Sequence, residues 1–135
     1  MEATQCTSSQ YRVRLLCSYG GRIQLRHGDG HLCYSGGETK ILVTDRCVRF
    51  SDILPMLSSF YNGHHVRVKY QIPGEGLDAL VSVMNDEDLE QMMIEYEQLR
   101  RSEGEPAWLR VFLFPLLPLA FSLARPATME ASQIG

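Results

Sequence analysis

Residues 66–89 read VRVKYQIPGEGLDALVSVMNDEDL, and this stretch decides the class of fold that the chain is expected to adopt. Apolar and basic side chains alternate over Val66–Tyr70, which is the two-residue period of a half-buried strand. A glycine-containing loop follows, and residues 80–84 form a second, shorter apolar run. Asn85 then has the chemistry of a helix N-cap, with acidic residues in the first turn after it. The stretch therefore predicts strand, loop, strand and helix in that order.

The flanking sequence adds further elements on both sides. Residues 11–18 alternate as a strand, Gly20-Gly21 predicts a turn, and residues 22–25 are expected to pair back as a hairpin. A glycine-rich loop over residues 27–37, a strand over 39–44 and a helix that ends at Asn62-Gly63 follow. The second helix ends before Gly104, and residues 109–113 predict a last strand. This order predicts an α+β fold in which a mixed sheet of four or five strands carries both helices on one face.

The charges are unevenly distributed along the chain. The formal net charge is −3, which argues against a protein that binds nucleic acid through bulk positive charge. Residues 1–50 contain seven Lys or Arg against four Asp or Glu, whereas residues 75–97 contain eight carboxylates and no Lys or Arg. The small net charge thus conceals a basic segment and an acidic segment.

The acidic segment has two explanations. Carboxylates in the first turn of a helix stabilise its macrodipole by about 0.3–1 kcal/mol each, which would account for Asp86, Glu87 and Asp88. Glu75 and Asp78 precede the helix, so the macrodipole does not explain them. We therefore expect these five carboxylates to form one surface patch that binds a cationic group from outside the chain. A plain solvated face is the alternative.

The basic segment also has two explanations. Arg12 and Arg14 are two positions apart in the first predicted strand, so their guanidinium groups project from one face. Each guanidinium can bind a carboxylate through two hydrogen bonds. Basic residues on exposed strands also protect a sheet against unwanted pairing, which is the alternative. Several complementary ion pairs that form together would favour a protein partner with an acidic surface.

Three patterns that suggest a ligand site are set aside. Residues 74–79 satisfy G-x-G-x-x-A, but no helix begins there and Glu75 and Asp78 would repel a pyrophosphate. His27 and His31 are separated by Gly-Asp-Gly, which is more typical of a turn than of a metal site. The four cysteines contain no C-x-x-C pair, so we expect reduced thiols and no zinc, with Cys17 as a small core residue. We predict no cofactor, no metal and no enzymatic activity.

The two ends of the chain are expected to lie outside the folded domain. We expect residues 1–10 to be disordered, residues 11–114 to form the domain, and residues 115–135 to be an irregular apolar and disordered tail. Residues 111–124 are uncharged but contain Pro115 and Pro118, so no membrane span is predicted, although a weaker membrane or partner contact remains open. The first ten residues lack an apolar run, so we expect a cytoplasmic protein, with the nucleus as a further possible location.

Three blocks of the sequence resemble a known family. Residues 13–21 (VRLLCSYGG), 32–41 (LCYSGGETKI) and 68–89 are similar, in the same order, to the plant form of the Phox-and-Bem-one domain, also called the octicosapeptide repeat domain. The resemblance covers residues 11–114. It implies a ubiquitin-like β-grasp roll, and it implies that domains associate front to back, with an acidic motif on one domain against a basic face on the next.

The resemblance also implies which residues make such contacts. The acidic motif falls on Glu75, Asp78, Asp86, Glu87 and Asp88. The first-strand lysine of the family falls at Arg14, so the cation is kept while the residue type changes, and we assign Arg12, Arg22 and Arg26 to the same basic face. Gly76 stands where many plant relatives have Asp.

The sequence thus predicts a protein–protein interaction domain that binds itself or related domains. The expected partners are other Phox-and-Bem-one domains, including one carried by a kinase or a transcription factor, and neither nucleic acid nor a membrane. Two alternatives stay open. One is a short regulatory partner that caps the assemblies of longer relatives, and the other is a ubiquitin-like modifier.

Overall fold

The structure is a computed structural model that describes residues 12–104 and 107–116. The predicted disordered N-terminus and almost all of the predicted tail lie outside the described residues. The described residues form five strands and two α-helices. They are β1 (Arg12–Leu25), β2 (Leu32–Asp45), α1 (Phe50–Ser58), β3 (Val66–Tyr70), β4 (Val81–Val83), α2 (Asp86–Glu103) and β5 (Leu109–Pro115).

The strands form one mixed sheet in the order β2-β1-β5-β3-β4. β1 and β5 pair in parallel in the middle of the sheet, with Leu15 opposite Leu109, and the other neighbours pair antiparallel. The β-grasp arrangement is a sheet with a central parallel pair of strands, antiparallel neighbours on both sides of that pair, and helices packed across one face. The predicted α+β fold with a mixed sheet is confirmed.

The hydrophobic core lies between one face of the sheet and the two helices. Alternate residues of β1, β3 and β5 are buried there, among them Leu15, Tyr70 and Val111. α1 contributes Ile53 and Leu57, and α2 contributes a larger group, Leu89, Met92, Met93 and Tyr96. Both helices therefore pack on the same face of the sheet. The remaining positions of the strands, including Arg12, Arg14, Arg67 and Lys69, lie on the opposite face.

The predicted turn at Gly20-Gly21 is wrong. β1 continues through both glycines and pairs with β2 over its whole length, from Arg12 opposite Asp45 to Leu25 opposite Leu32. The chain turns instead at residues 26–31, where the Arg26 N–H donates to the His31 carbonyl at 2.7 Å. Gly20 and Gly37 have φ of 85° and 72°, and the register is the same on both sides of them. The glycines therefore let two long strands cross closely rather than reverse the chain.

The far half of this long hairpin covers part of the open face of the sheet. Tyr34 on β2 packs against Phe112 on β5, with 5.1 Å between the ring centroids, and Phe112 is 0% exposed. The Tyr34 hydroxyl also accepts a hydrogen bond from the Gly21 N–H at 2.8 Å. A second small core thus lies on the side of the sheet away from the helices.

Both helices end as the sequence predicts. α1 continues into a 3-10 turn and ends at Asn62, whose φ is 56°.

The cysteines differ in part from the prediction. Cys17 is a buried free thiol, and burial raises its pKa to about 12. Cys33 is also free, but Cys47 is disulfide-bonded, so the expectation of reduced thiols is wrong at Cys47. The spacing of cysteines along a chain does not show which of them meet in space.

In the described part of the chain, no helix has the length and apolar character needed to span a membrane.

Candidate protein-interaction surfaces

The first turn of α2 is held by a reciprocal cap. The Asp88 N–H donates to Asn85 Oδ1 at 2.8 Å, as expected for an N-cap. In return, Asp88 Oδ2 accepts a hydrogen bond from the Met84 N–H at 2.9 Å. Asp88 is half-buried. The pKa of Tyr70 is raised chiefly by burial, and the charges of Glu95 and Asp88 raise it further. Asp88 therefore has a structural role in addition to its charge.

Asp86 has a structural role of a different kind. Its Oδ1 accepts a hydrogen bond from the Phe50 N–H, 2.7 Å away, at the start of α1. The N-cap of α1 is Arg49, which makes no side-chain cap of its own. Asp86 thus caps α1 from the neighbouring helix and places a negative charge at the N-terminal end of its macrodipole.

This capping role leads to a test at Asp86. We expect Asp86→Ala to lower the free energy of unfolding by about 1–2 kcal/mol, since it removes both the acceptor and the charge. Asp86→Asn keeps an acceptor oxygen and is expected to cost less than half as much. The exposed neighbour Glu87 is the control, because Glu87→Ala should change stability by less than about 0.5 kcal/mol. Urea unfolding of the three variants checks this, and equal losses for Ala and Asn at Asp86 would contradict it.

The other two predicted acidic residues lie on the loop between β3 and β4. The Glu75 side chain is exposed, and its backbone is fixed by the Gln71 side-chain amide, which donates to the Glu75 carbonyl at 2.8 Å. Asp78 lies on a 3-10 turn over Leu77–Ala79. A Cβ at Gly76 would lie 2.8 Å from Asp78 Oδ1, so the carboxylate occupies space that a side chain at position 76 would need.

β4 separates the acidic residues into two groups. Glu75 and Asp78 precede β4, whereas Asp86, Glu87 and Asp88 follow it. Because β4 has only three residues, its length is about 10 Å. The five carboxylates therefore lie along one edge of the sheet rather than at one point.

Asp78 also faces basic residues of its own domain. It lines a cleft of about 340 Å³ together with Arg67 and Lys69 from the open face of β3. The apolar wall of the cleft is formed by Ile23, Leu77, Leu80 and Phe114. Asp78 thus lies beside cations of its own chain. The alternation over Val66–Tyr70 was the signal that places Arg67 and Lys69 on this face.

Arg46 forms a buried ion-pair network that the sequence did not indicate. Its side chain is 7% exposed and makes two hydrogen bonds to Glu90, at 3.2 and 3.0 Å, and one to Glu97, at 2.8 Å. Burial lowers the pKa of Arg46, but its hydrogen bonds and charge interactions with Glu90 and Glu97 outweigh burial and raise that pKa above its ordinary value. Two of the eight carboxylates in the acidic segment are therefore ion-paired within the domain.

The four predicted basic residues fall into two groups. Arg12 and Arg14 share the open face at the start of β1. Arg22 is eight positions beyond Arg14 on the same strand, up to about 26 Å away. Arg26 lies just beyond the strand, where it forms an ion pair with Asp29 at 3.3 Å. The pKa of Asp29 is lowered, chiefly by the hydrogen bond that its carboxylate accepts from the His31 N–H and further by Arg26. The structure places Arg22 and Arg26 at the tip of the hairpin, away from Arg12 and Arg14.

The chain matches a known protein family, the PB1 domain family, over residues 28–116. This chain belongs to the PB1 domain family. PB1 domains are protein–protein interaction modules that bind other PB1 domains. The matched residues begin after β1, so the strand that carries Arg12 and Arg14 lies outside the match.

One curated relative is Protein PAL OF QUIRKY from Arabidopsis thaliana. It is 34% identical to this chain over an alignment of 109 residues, and the alignment covers 78% of this chain and 23% of the Arabidopsis protein. The chain therefore spans about a quarter of the length of that relative, and the similarity supports a plant PB1 protein.

Proposed function

We propose that this PB1 domain associates front to back, with the acidic edge of one domain against the basic face of another. The observation that carries the proposal is the strand order β2-β1-β5-β3-β4. Arg12 and Arg14 lie on β1, whereas the five acidic residues flank β4 at the edge of the sheet. Three strand spacings separate β1 from β4, about 14 Å, so the two charged surfaces are presented to different neighbours.

The consequence of this arrangement is an open assembly. A contact between two different surfaces does not close on itself, so each added domain leaves one acidic edge and one basic face available. Exposed ion pairs contribute only about 0–1 kcal/mol each, and several must form together to hold two domains. Their chief effects are on association rate and on the choice of partner. In this proposal the domain is a non-enzymatic scaffold, and its partners are copies of itself or the PB1 domains of other proteins.

Mixing two variants tests the proposal directly. The basic-face variant is Arg12→Ala/Arg14→Ala. The amide variant is Asp86→Asn/Glu87→Gln/Asp88→Asn, which removes charge while keeping the cap acceptors at Asp86 and Asp88. We expect the wild type to form oligomers, each variant alone to be monomeric, and their mixture to form a 1:1 dimer. Sedimentation velocity of the three samples measures this.

The dependence of the association on ionic strength is a second test of the same proposal. Oligomers of the wild type are expected to dissociate progressively between about 0.05 and 0.5 M NaCl, because exposed pairs are screened over this range. The control is Arg22→Ala/Arg26→Ala at the distant hairpin tip, which should leave the assembly unchanged. The front-to-back arrangement would be ruled out if the size of the oligomers did not change with NaCl concentration, or if the two variants formed no dimer when mixed.

A further inference from the structure

Met84 is an exposed apolar side chain among the acidic residues. It is 68% exposed, the largest exposed fraction among the large apolar side chains of the described residues. It lies between β4 and the N-cap Asn85, two positions before Asp86 and three before Glu87. Because its backbone N–H donates to Asp88 Oδ2 at 2.9 Å, the position of this residue is fixed by the α2 cap. Met84 lies outside the hydrophobic core, so its apolar side chain is accessible to another molecule.

An apolar strip lies beside the basic residues in the same way. Ile41 and Val43 on β2 are 53% and 47% exposed. Val43 pairs with Arg14 and Ile41 pairs with Leu16, so all four side chains lie on the open face of the sheet. The intervening Leu42 packs against the core. β2 is the edge strand of the sheet, which makes this strip accessible to another molecule.

We propose that Met84 of one domain packs on the Ile41–Val43 strip of a second copy of this chain. This inference rests on the front-to-back association proposed above and names the apolar contact inside it. Charge complementarity selects the occupant, since the surface that carries Met84 is acidic and the surface that carries the strip is basic. The same docking that brings Asp86 and Glu87 to Arg12 and Arg14 brings Met84 to Val43.

The physical argument concerns affinity rather than orientation. Exposed ion pairs steer two molecules together but add little net free energy. Removal of apolar surface from water supplies free energy that salt does not screen, and central apolar contacts carry much of the affinity of an interface. Methionine is unbranched and flexible, so it can fit between the β-branched side chains of Ile41 and Val43. The contact therefore adds a salt-independent part to an otherwise electrostatic association.

The test uses the two variants that form a 1:1 dimer. Met84→Gln is introduced into the basic-face variant, and Val43→Thr is introduced into the amide variant; each substitution keeps the size of the side chain and removes its apolar end. We expect each to raise Kd about fivefold, at both 0.1 and 0.5 M NaCl, because buried apolar area is lost. Together they should raise Kd much less than about 25-fold, because contacting residues are not additive. Isothermal titration calorimetry measures all four pairs.

Two matched controls separate this contact from general effects. Met56→Gln on α1, where Met56 is 39% exposed, and Leu25→Gln at the hairpin end, where Leu25 is 66% exposed, should leave Kd unchanged. Thermal unfolding should be the same for all variants because the substituted side chains are exposed.

The possible outcomes distinguish the two proposals. If the two charge variants do not pair at all, front-to-back association and the Met84 contact are both wrong. If they pair but neither Met84→Gln nor Val43→Thr weakens the dimer, the apolar contact alone is wrong. If the two effects multiply fully, or only Val43→Thr has an effect, the strip contacts something other than Met84, and the proposal is overturned.

Discussion

Arg46→Met is expected to lower the free energy of unfolding by about 3 kcal/mol. The substitution keeps most of the apolar volume of the side chain but removes three charge-assisted hydrogen bonds, two to Glu90 and one to Glu97. Glu97 is 23% exposed and loses the Arg46 cation in a partly buried site, whereas Glu90 is 57% exposed and can be rehydrated. The loss therefore stays below the upper end of what is observed when one partner of a fully buried pair is removed.

Matched variants show whether the buried network is the cause. Arg49→Met changes an exposed arginine three positions away and should alter stability by less than about 0.5 kcal/mol. Arg46→Lys keeps the charge but not the planar fork, so an intermediate loss is expected. Combining Arg46→Met with Glu97→Gln should recover part of the loss, because the partly buried carboxylate that loses the Arg46 cation is replaced by a neutral amide. Urea unfolding gives these values, and an effect of Arg46→Met no larger than that of Arg49→Met would contradict the role of the network.

The Arg46 network shows what the sequence could not reveal about the acidic segment. Its eight carboxylates and lack of Lys or Arg indicated a surface that needs a cation from outside the chain. Glu90 and Glu97 instead find Arg46, which is 44 and 51 positions away along the chain. A charge pattern along the sequence shows only which charges are close in sequence. The fold brings the end of β2 against α2 and so pairs charges that are far apart in sequence. The assignment of the five acidic site residues to a partner contact stays a prediction.

Local chemistry was predicted more successfully than long-range placement. The alternation over Val66–Tyr70 identified β3, and Asn85 was recognised as the N-cap of α2 because its partner Asp88 is only three positions away. The cap that Asp86 provides to α1 was not predictable, since it joins residues 36 positions apart. Side-chain period and capping depend on neighbours in sequence, so they can be read before the fold is known.

The misplaced hairpin turn changed the expected basic face. A turn at Gly20-Gly21 would have paired residues 22–25 back along the first strand and returned Arg26 towards Arg14. The continuous β1 instead carries Arg22 and Arg26 to the far tip of the hairpin. Paired glycines indicate either a turn or a close crossing of two backbones, and only the facing glycines of β2 distinguish these possibilities.

Gly37→Ala is expected to be the most damaging of the glycine-to-alanine substitutions in the long hairpin. Gly37 has φ of 72°, a conformation that costs an L-residue about 1–2 kcal/mol. A Cβ at this position would also overlap the carbonyl oxygen of Tyr19 and the backbone nitrogen of Gly21. Both are backbone atoms in the paired strand, so they cannot move without separating β1 from β2. We therefore expect a loss of more than about 3 kcal/mol in the free energy of unfolding.

Three other glycines separate the two causes of this loss. Gly28 has φ of 102° and nothing within 4 Å of its Cβ position, so Gly28→Ala reports the cost of backbone conformation in an open loop. Gly36→Ala reports the same cost within the ladder, where the nearest atom is 3.9 Å away. Gly21→Ala reports overlap alone, against the carbonyl oxygens of Ser35 and Gly36, since its φ is not in the left-handed region. If the close crossing shapes this hairpin, Gly37→Ala and Gly21→Ala will both exceed Gly36→Ala in urea unfolding. If all four variants lose a similar amount, backbone conformation alone accounts for the glycines, and the strands at Gly21 and Gly37 can separate at little cost.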